Sequence, residues 1–201
     1  VIYDPAGADD YVVLRVVQAA PIAVPVVDLD RRLGEIAARF HDHPSKALNV
    51  IGITGTNGKT TCSQLIAQAL PNHGVIGTLG WGQPDDLKPT LNTTPDALAL
   101  QSMLRCFVDE GKRGVAMEVS SHGLQLGRVN GIHFSGAVFT NLSRDHLDFH
   151  GDMTQYLNAK LRLFTLSPLR FAVVNLDDEA SDAVLAVLDN HAQRWGFSLE
   201  E

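Results

Sequence analysis

The run Gly52-Ile53-Thr54-Gly55-Thr56-Asn57-Gly58-Lys59-Thr60-Thr61 constrains this chain more than any other stretch. It is preceded by Leu48 to Ile53, a β-rich apolar run that reads as a strand, and followed by Thr60 to Leu70, which reads as a helix. A glycine-rich turn between strand and helix brings backbone N–H groups and the positive end of a helix around an anion. Lys59 adds a full charge, and Thr60 a hydroxyl suited to Mg²⁺. The strict pattern G-x-x-x-x-G-K-[ST] needs glycine at position 53, where Ile53 stands between Gly52 and Gly55. A turn with an incidental lysine is the bland alternative; Gly-Lys-Thr-Thr in this context favours a nucleoside triphosphate site. Its residues are Thr54, Gly55, Thr56, Asn57, Gly58, Lys59 and Thr60.

The rest of the chain alternates in the same way. Val75 to Gly77, Gly114 to Val119, Gly136 to Thr140 and Phe171 to Asn175 read as strands. Pro95 to Val108, Met153 to Leu166 and Asp178 to His191 read as helices, the first with Thr94 as N-cap and Pro95 at its first position. Such alternation predicts an α/β fold with a parallel sheet covered on both faces. A smaller piece comes first: a strand at Val24 to Val27, then a helix with Leu33, Ile36, Ala37 and Phe40 on one apolar stripe, ended by His41 to Ser45 around Pro44. The predicted division is 1–46 and 47–201.

Composition narrows the class. The 201 residues include 23 Asp+Glu against 16 Lys+Arg, a formal charge of −7, which argues against nucleic-acid or membrane-surface binding. No apolar run approaches the roughly 20 residues of a membrane span. The two cysteines, Cys62 and Cys106, form no CxxC and fall within predicted helices, as packing residues of a reducing compartment. The expectation is a soluble, cytoplasmic, monomeric protein. The start at Val1 and the strand-like residues 194–201 suggest a piece of a longer chain.

Glu118 and His146 each follow a predicted strand, so they can converge with Thr60 where ligands bind, beyond the carboxyl ends of strands. Glu118 suits Mg²⁺, which prefers oxygen. On residues alone His146 is either a ligand or a loop histidine bonded to backbone. A zinc site from His122, Asp145, Asp148 and His150 lacks a tight ligand pair on a helix face, and a supporting role in the loops is the simpler reading. Tyr156, Leu157, Leu163 and Phe164 flank Lys160 at helical spacing, so Lys160 lies on an apolar stripe, either buried or with its head lifted into water.

Gly55 to Thr60 resembles the loop of the Mur ligases, which build the peptide of bacterial peptidoglycan, and of the related folylpolyglutamate synthases. Asn92-Thr93-Thr94-Pro95, Glu118 to Leu124, Thr140 to Gly151, Tyr156 and Ala159-Lys160 resemble the branch that adds the third residue to UDP-N-acetylmuramoyl-L-Ala-D-Glu. The resemblance runs from about Pro25 to the end and implies the central domain of that family, preceded by part of a smaller α/β domain. It implies ATP and Mg²⁺ as cofactors, with UDP-N-acetylmuramoyl-L-Ala-D-Glu and an amino acid, meso-diaminopimelate before L-Lys, as substrates. The implied reaction is amide formation through an acyl phosphate. By the same resemblance Lys59 is catalytic, Glu118 and His146 hold metal with Thr60, and Lys160 carries a carbamate that is both catalytic and a metal ligand. Asn92, Thr93, Thr94, Ser120 and Arg128 contact the UDP substrate. The family pattern has Gln two positions before the Arg; here Leu126 stands there beside Gln125, so that contact is not carried over.

Two rivals remain at this level. One is a folylpolyglutamate synthase-like ligase, against which the Asn92 and Ser143 to Gly151 stretches argue. The other is a P-loop module that binds nucleotide without ligation. Family members extend beyond both ends of this chain, so the chain by itself is expected not to turn over.

Overall fold

The computed structural model describes residues 2–6 and 24–199. Residues 1 and 7–23 of the piece expected at 1–46, and residues 200–201, lie outside the described residues. In that piece β1 (Ile2–Tyr3) pairs in parallel with β2 (Val24–Pro25), and α1 (Leu29–Phe40) follows. The stripe on α1 differs from the expected one. Gly34, Ala37 and Ala38 are buried, Leu33 and Ile36 are half-buried, and Phe40 is 83% exposed. Small residues bring the α1 backbone close to the body: a Cβ on Gly34 would stand 2.0 Å from the Asn130 carbonyl oxygen. Asp42 and His43 then take left-handed φ, and Pro44 opens the 3₁₀ turn Pro44–Lys46.

The body follows as β3 (Asn49–Thr54), α2 (Lys59–Ala69), β4 (His73–Gly77), β5 (Gly80–Gln83), β6 (Asp86–Lys88) and α3 (Ala97–Asp109). After these come β7 (Gly114–Glu118), α4 (Ser121–Gln125), β8 (Gly136–Phe139), α5 (Leu147–His150) and α6 (Met153–Leu161). The 3₁₀ turn Arg162–Phe164, β9 (Phe171–Asn175), α7 (Ser181–Val187) and β10 (Gln193–Phe197) complete it. One eight-stranded sheet runs in the order β10-β9-β8-β3-β7-β4-β5-β6. It is parallel from β10 to β4, as the alternation predicts, and antiparallel from β4 to β6. The β5–β6 hairpin is too short for a periodic pattern, and Gly80 and Gly82 sit at φ 137° and 138° within it.

Alternation along the strands divides the core. Val50, Ile76, Val115, Met117, Phe139 and Val174 face one way, towards Leu100, Leu104 and Phe107 of α3, Leu163, and Val184 of α7. Ile51, Ile53, Val75, Ala116 and Val138 face the other, towards Cys62, Ile66 and Ala67 of α2. One expected cap is corrected. Asp96, not Thr94, is the N-cap of α3: its carboxylate accepts from Ala99 N at 2.9 Å. Thr94 is wholly buried, with its hydroxyl committed to β7 and Ser120. Helix α7 is shorter than its pattern: Ala180 is its N-cap and Leu188 leaves it in an extended conformation, while Asp178 braces the preceding turn, accepting from Ala180 N at 2.9 Å and Leu142 N at 2.7 Å.

Candidate active site at the carboxyl ends of the strands

The chain leaves β3 towards β4 and later returns to β8 on the other flank of β3, so the order reverses between β3 and β8. A crevice at such a reversal is where open α/β sheets bind ligands. The loops after these two strands meet there. Thr56 N donates to Asn141 O at 2.8 Å, Asn57 N to Asn141 Oδ1 at 2.9 Å, and Thr140 Oγ1 to Asn57 O at 2.6 Å. Gly55 has φ +150°, and a Cβ there would stand 1.9 Å from Thr140 Oγ1, so the approach requires glycine. Gly58, at φ 84°, is the N-cap of α2.

Two lysines converge on this loop. Lys59 Nζ donates to Gly55 O at 2.9 Å and Thr56 O at 2.8 Å, and Lys160 Nζ donates to the same Gly55 O at 2.8 Å. Burial lowers the pKa of Lys59, opposed by Glu118 and Asp145. Lys160 is 1% exposed, which decides between the two positions open to it. Its pKa falls to about 7, mainly from burial and then from the charge of Lys59, with Asp145 opposing.

Glu118, at the end of β7, is buried and well bonded. Its Oε2 accepts from Thr60 Oγ1 at 2.9 Å, and its Oε1 accepts from Thr78 N at 2.9 Å. Gly77 makes room: a Cβ there would stand 2.1 Å from Glu118 Oε1. Thr78 escaped the sequence reading, although a threonine directly after a predicted strand is a usable signal. Its Oγ1 also lies 3.1 Å from Glu118 Oε2 and 3.0 Å from Thr93 Oγ1. Ser120 N donates to Thr94 Oγ1 at 2.9 Å, and Arg128 donates to Thr94 O at 3.0 Å. Thr93, Thr94, Ser120 and Arg128 are therefore gathered beside Glu118; Asn92 is exposed on the same loop. Gln125 and Leu126 are both exposed at the end of α4.

His146 is the residue before α5. It is exposed, at φ 51°, with Nε2 3.4 Å from Asp145 Oδ2 and its ring 4.8 Å from that of His122. His150 is buried, and its Nε2 lies 2.9 Å from Ser121 Oγ. Burial lowers the pKa of both His122 and His150, and neighbouring histidines add to it. Among the described residues no group of three or more His, Cys, Asp and Glu is arranged to hold a metal ion. The oxygen donors at Thr60 and Glu118 suit Mg²⁺.

Comparison with known proteins is consistent with this geometry. Residues 53–201 match the model of the Mur ligase middle domain. The chain is 51% identical over 181 residues to the UDP-N-acetylmuramoyl-L-alanyl-D-glutamate--2,6-diaminopimelate ligase of Xylella fastidiosa strain Temecula1, covering 88% of this chain and 37% of that protein. The enzyme of the same name from Alkalilimnicola ehrlichii is 46% identical over 208 residues, covering 99% of this chain and 41% of that protein. A solved structure of a ligase of that name superposes with a TM-score of 0.78 at 36% identity, over 89% of this chain and 38% of that one. A folylpolyglutamate synthase from Mycobacterium tuberculosis, solved with ADP and AMPPCP, shares the fold, with a TM-score of 0.67 at 18% identity, over 83% of this chain and 47% of that one. The chain thus spans about two fifths of the length of its ligase relatives. With the glycine loop, its lysine and the Thr60–Glu118 pair at the reversal point of the sheet, the chain belongs to the Mur ligase family, whose middle domain it carries.

Proposed function

We propose that this domain binds ATP and Mg²⁺ in a ligase that adds meso-diaminopimelate to UDP-N-acetylmuramoyl-L-Ala-D-Glu during peptidoglycan precursor synthesis. The observation that carries the reading is the meeting of Lys59, Lys160 and the Thr60–Glu118 bond on one glycine loop. The choice of amino acid rests on the names of relatives at about 50% identity. The protein works as a cytoplasmic monomer in this reading, in keeping with a formal charge of −7. No helix among the described residues is long and apolar enough to cross a membrane.

The roles follow from the positions. Backbone N–H groups at the start of α2 face the phosphates, and Lys59 exchanges its carbonyl partners for phosphate oxygens. Thr60 and Glu118 would hold Mg²⁺, with His146 and a carbamate on Lys160 as further ligands. The metal supplies charge neutralisation for the phosphoryl group in transfer. Lys160 suits carbamylation because burial leaves much of its amine neutral near pH 7. The amine adds to the carbon of CO₂, one proton leaves, and an anionic oxygen ligand results. Thr93, Ser120 and Arg128, with Asn92, form the wall that meets the anionic sugar-peptide, and buried Thr94 holds Ser120 and Arg128 from behind. The D-Glu carboxylate of that substrate takes the γ-phosphoryl group of ATP to give an acyl phosphate, and ADP leaves.

A turnover assay on the full-length protein tests this. Phosphate release should need both UDP-N-acetylmuramoyl-L-Ala-D-Glu and diaminopimelate, and Lys59→Ala should abolish it. Release independent of both, or nucleotide binding with no turnover on these substrates, would overturn the reading.

A further inference from the structure

Tyr156 is 1% exposed and lies on α6 one turn before Lys160. Its hydroxyl is 3.2 Å from Thr56 Oγ1 in the phosphate loop, and Lys160 Nζ sits 4.3 Å from the centre of its ring. The His150 ring, held by Ser121, lies 5.1 Å from the Tyr156 ring and tilted by 37°. Thr56 Oγ1 already accepts from Ser143 N at 2.9 Å and faces Ser143 O at 3.2 Å as an acceptor for its own hydrogen. That arrangement leaves the phenol as donor to Thr56.

We propose that Tyr156 is a positioning residue with two separable parts. Its hydroxyl fastens Thr56, and so the phosphate loop with its bond to Ser143, to α6. Its ring holds the long Lys160 side chain against Gly55 O, so that Lys160 and Lys59 address the same side of the loop. The proposal rests on reading residues 54–60 as a nucleotide phosphate loop. A tyrosine serving only as core filler would be replaced by phenylalanine without consequence.

Two variants divide the roles. Y156F keeps the ring and removes the hydroxyl; Y156L keeps a buried apolar group and removes the ring. In this chain, amide hydrogen exchange reads the loop, and acylation of Lys160 by an amine-reactive ester, followed by digestion and mass spectrometry, reads the lysine. Y156F should speed exchange at Thr56 and Ser143 by about three- to tenfold, the worth of one neutral hydrogen bond, with Lys160 labelling unchanged. Y156L should do the same and also raise Lys160 labelling by about fivefold or more. In the full-length protein Y156F should raise KM for ATP by about three- to tenfold while kcat stays within about twofold. Wild-type exchange at Thr56 and Ser143 in Y156F overturns the proposal, as does faster exchange spread evenly over β3, β7 and β8, the mark of general destabilisation. Absence of ATP-dependent turnover in the unaltered protein would defeat the ligase reading alone, because exchange and labelling report on Tyr156 without it.

Discussion

A lysine held at 1% exposure, with a backbone carbonyl as acceptor, costs stability wherever it is charged. Lys160 has a folded pKa of about 7 against an ordinary value of 10.5. Between these values the unfolded chain binds the extra proton, so stability rises with pH through that window, and below about 7 the full cost applies. Lys160→Met should therefore be more stable than wild type at pH 7, and its advantage should shrink by pH 9.5, by at most about 1.4 kcal/mol per pH unit. Urea denaturation of both proteins in CO₂-free buffers checks this; an advantage that grows with pH contradicts it. Gly55 tests the loop at the same scale. Gly55→Ala meets Thr140 Oγ1 at 1.9 Å on a backbone at φ +150°. It should cost about 1–3 kcal/mol or more and weaken nucleotide binding, as read by melting and by titration with an ATP analogue. Lys59 and Thr60 were legible because a glycine turn between strand and helix dictates backbone geometry locally, and Glu118 because it ends a strand whose carboxyl end faces the ligand side of the sheet. Thr78 and Tyr156 were not, because their roles depend on β7 lying beside β4 and on α6 crossing the phosphate loop.

Helix α3 shows what a periodic pattern carries and what it omits. Of Leu100, Met103, Leu104, Phe107 and Val108, whose spacing predicts one apolar stripe, Leu100, Leu104 and Phe107 are buried while Met103 and Val108 are half-buried. Both Thr94 and Asp96 are chemically good caps, and only the packing of Thr94 under Glu118 and Ser120 assigns the role to Asp96. Asp96→Ala should cost about 1 kcal/mol by denaturant melting. Gln101 on the same helix is 0% exposed, and neither atom of its amide has a hydrogen-bond partner. Gln101→Met keeps the volume and removes the unpaired amide, so it should stabilise by about 1–2 kcal/mol. A loss of stability would mean that the amide is satisfied in solution. The β5–β6 hairpin shows the opposite limit: four- and three-residue strands pair antiparallel on an edge, without a period long enough to read.

At the scale of the molecule, α1 and the turn after it are fastened to the body. Asn130 Nδ2 donates to Arg31 O at 2.9 Å, and His133 N donates to Ser45 Oγ at 2.9 Å. Gly34→Ala should gain roughly 0.8–1 kcal/mol of helix propensity, yet its Cβ would stand 2.0 Å from Asn130 O. The net effect should be destabilising, with faster proteolysis around residues 41–47; a higher melting temperature would show that α1 is loosely held. The amino-acid sequence by itself determined the strand–helix alternation, the parallel direction it requires and the phosphate loop. Each of these depends on residues close together in the chain: side-chain periods, glycines and a lysine at a helix start. Only the tertiary structure decided that β3 lies between β8 and β7, which makes the reversal point. It also decided that Glu118 bonds Thr60 and that Lys59 and Lys160 share Gly55 O. The Thr60–Glu118 and Gly55–Lys160 contacts join residues 58 and 105 positions apart, and their geometry is set by strand order and helix packing, which no local pattern encodes.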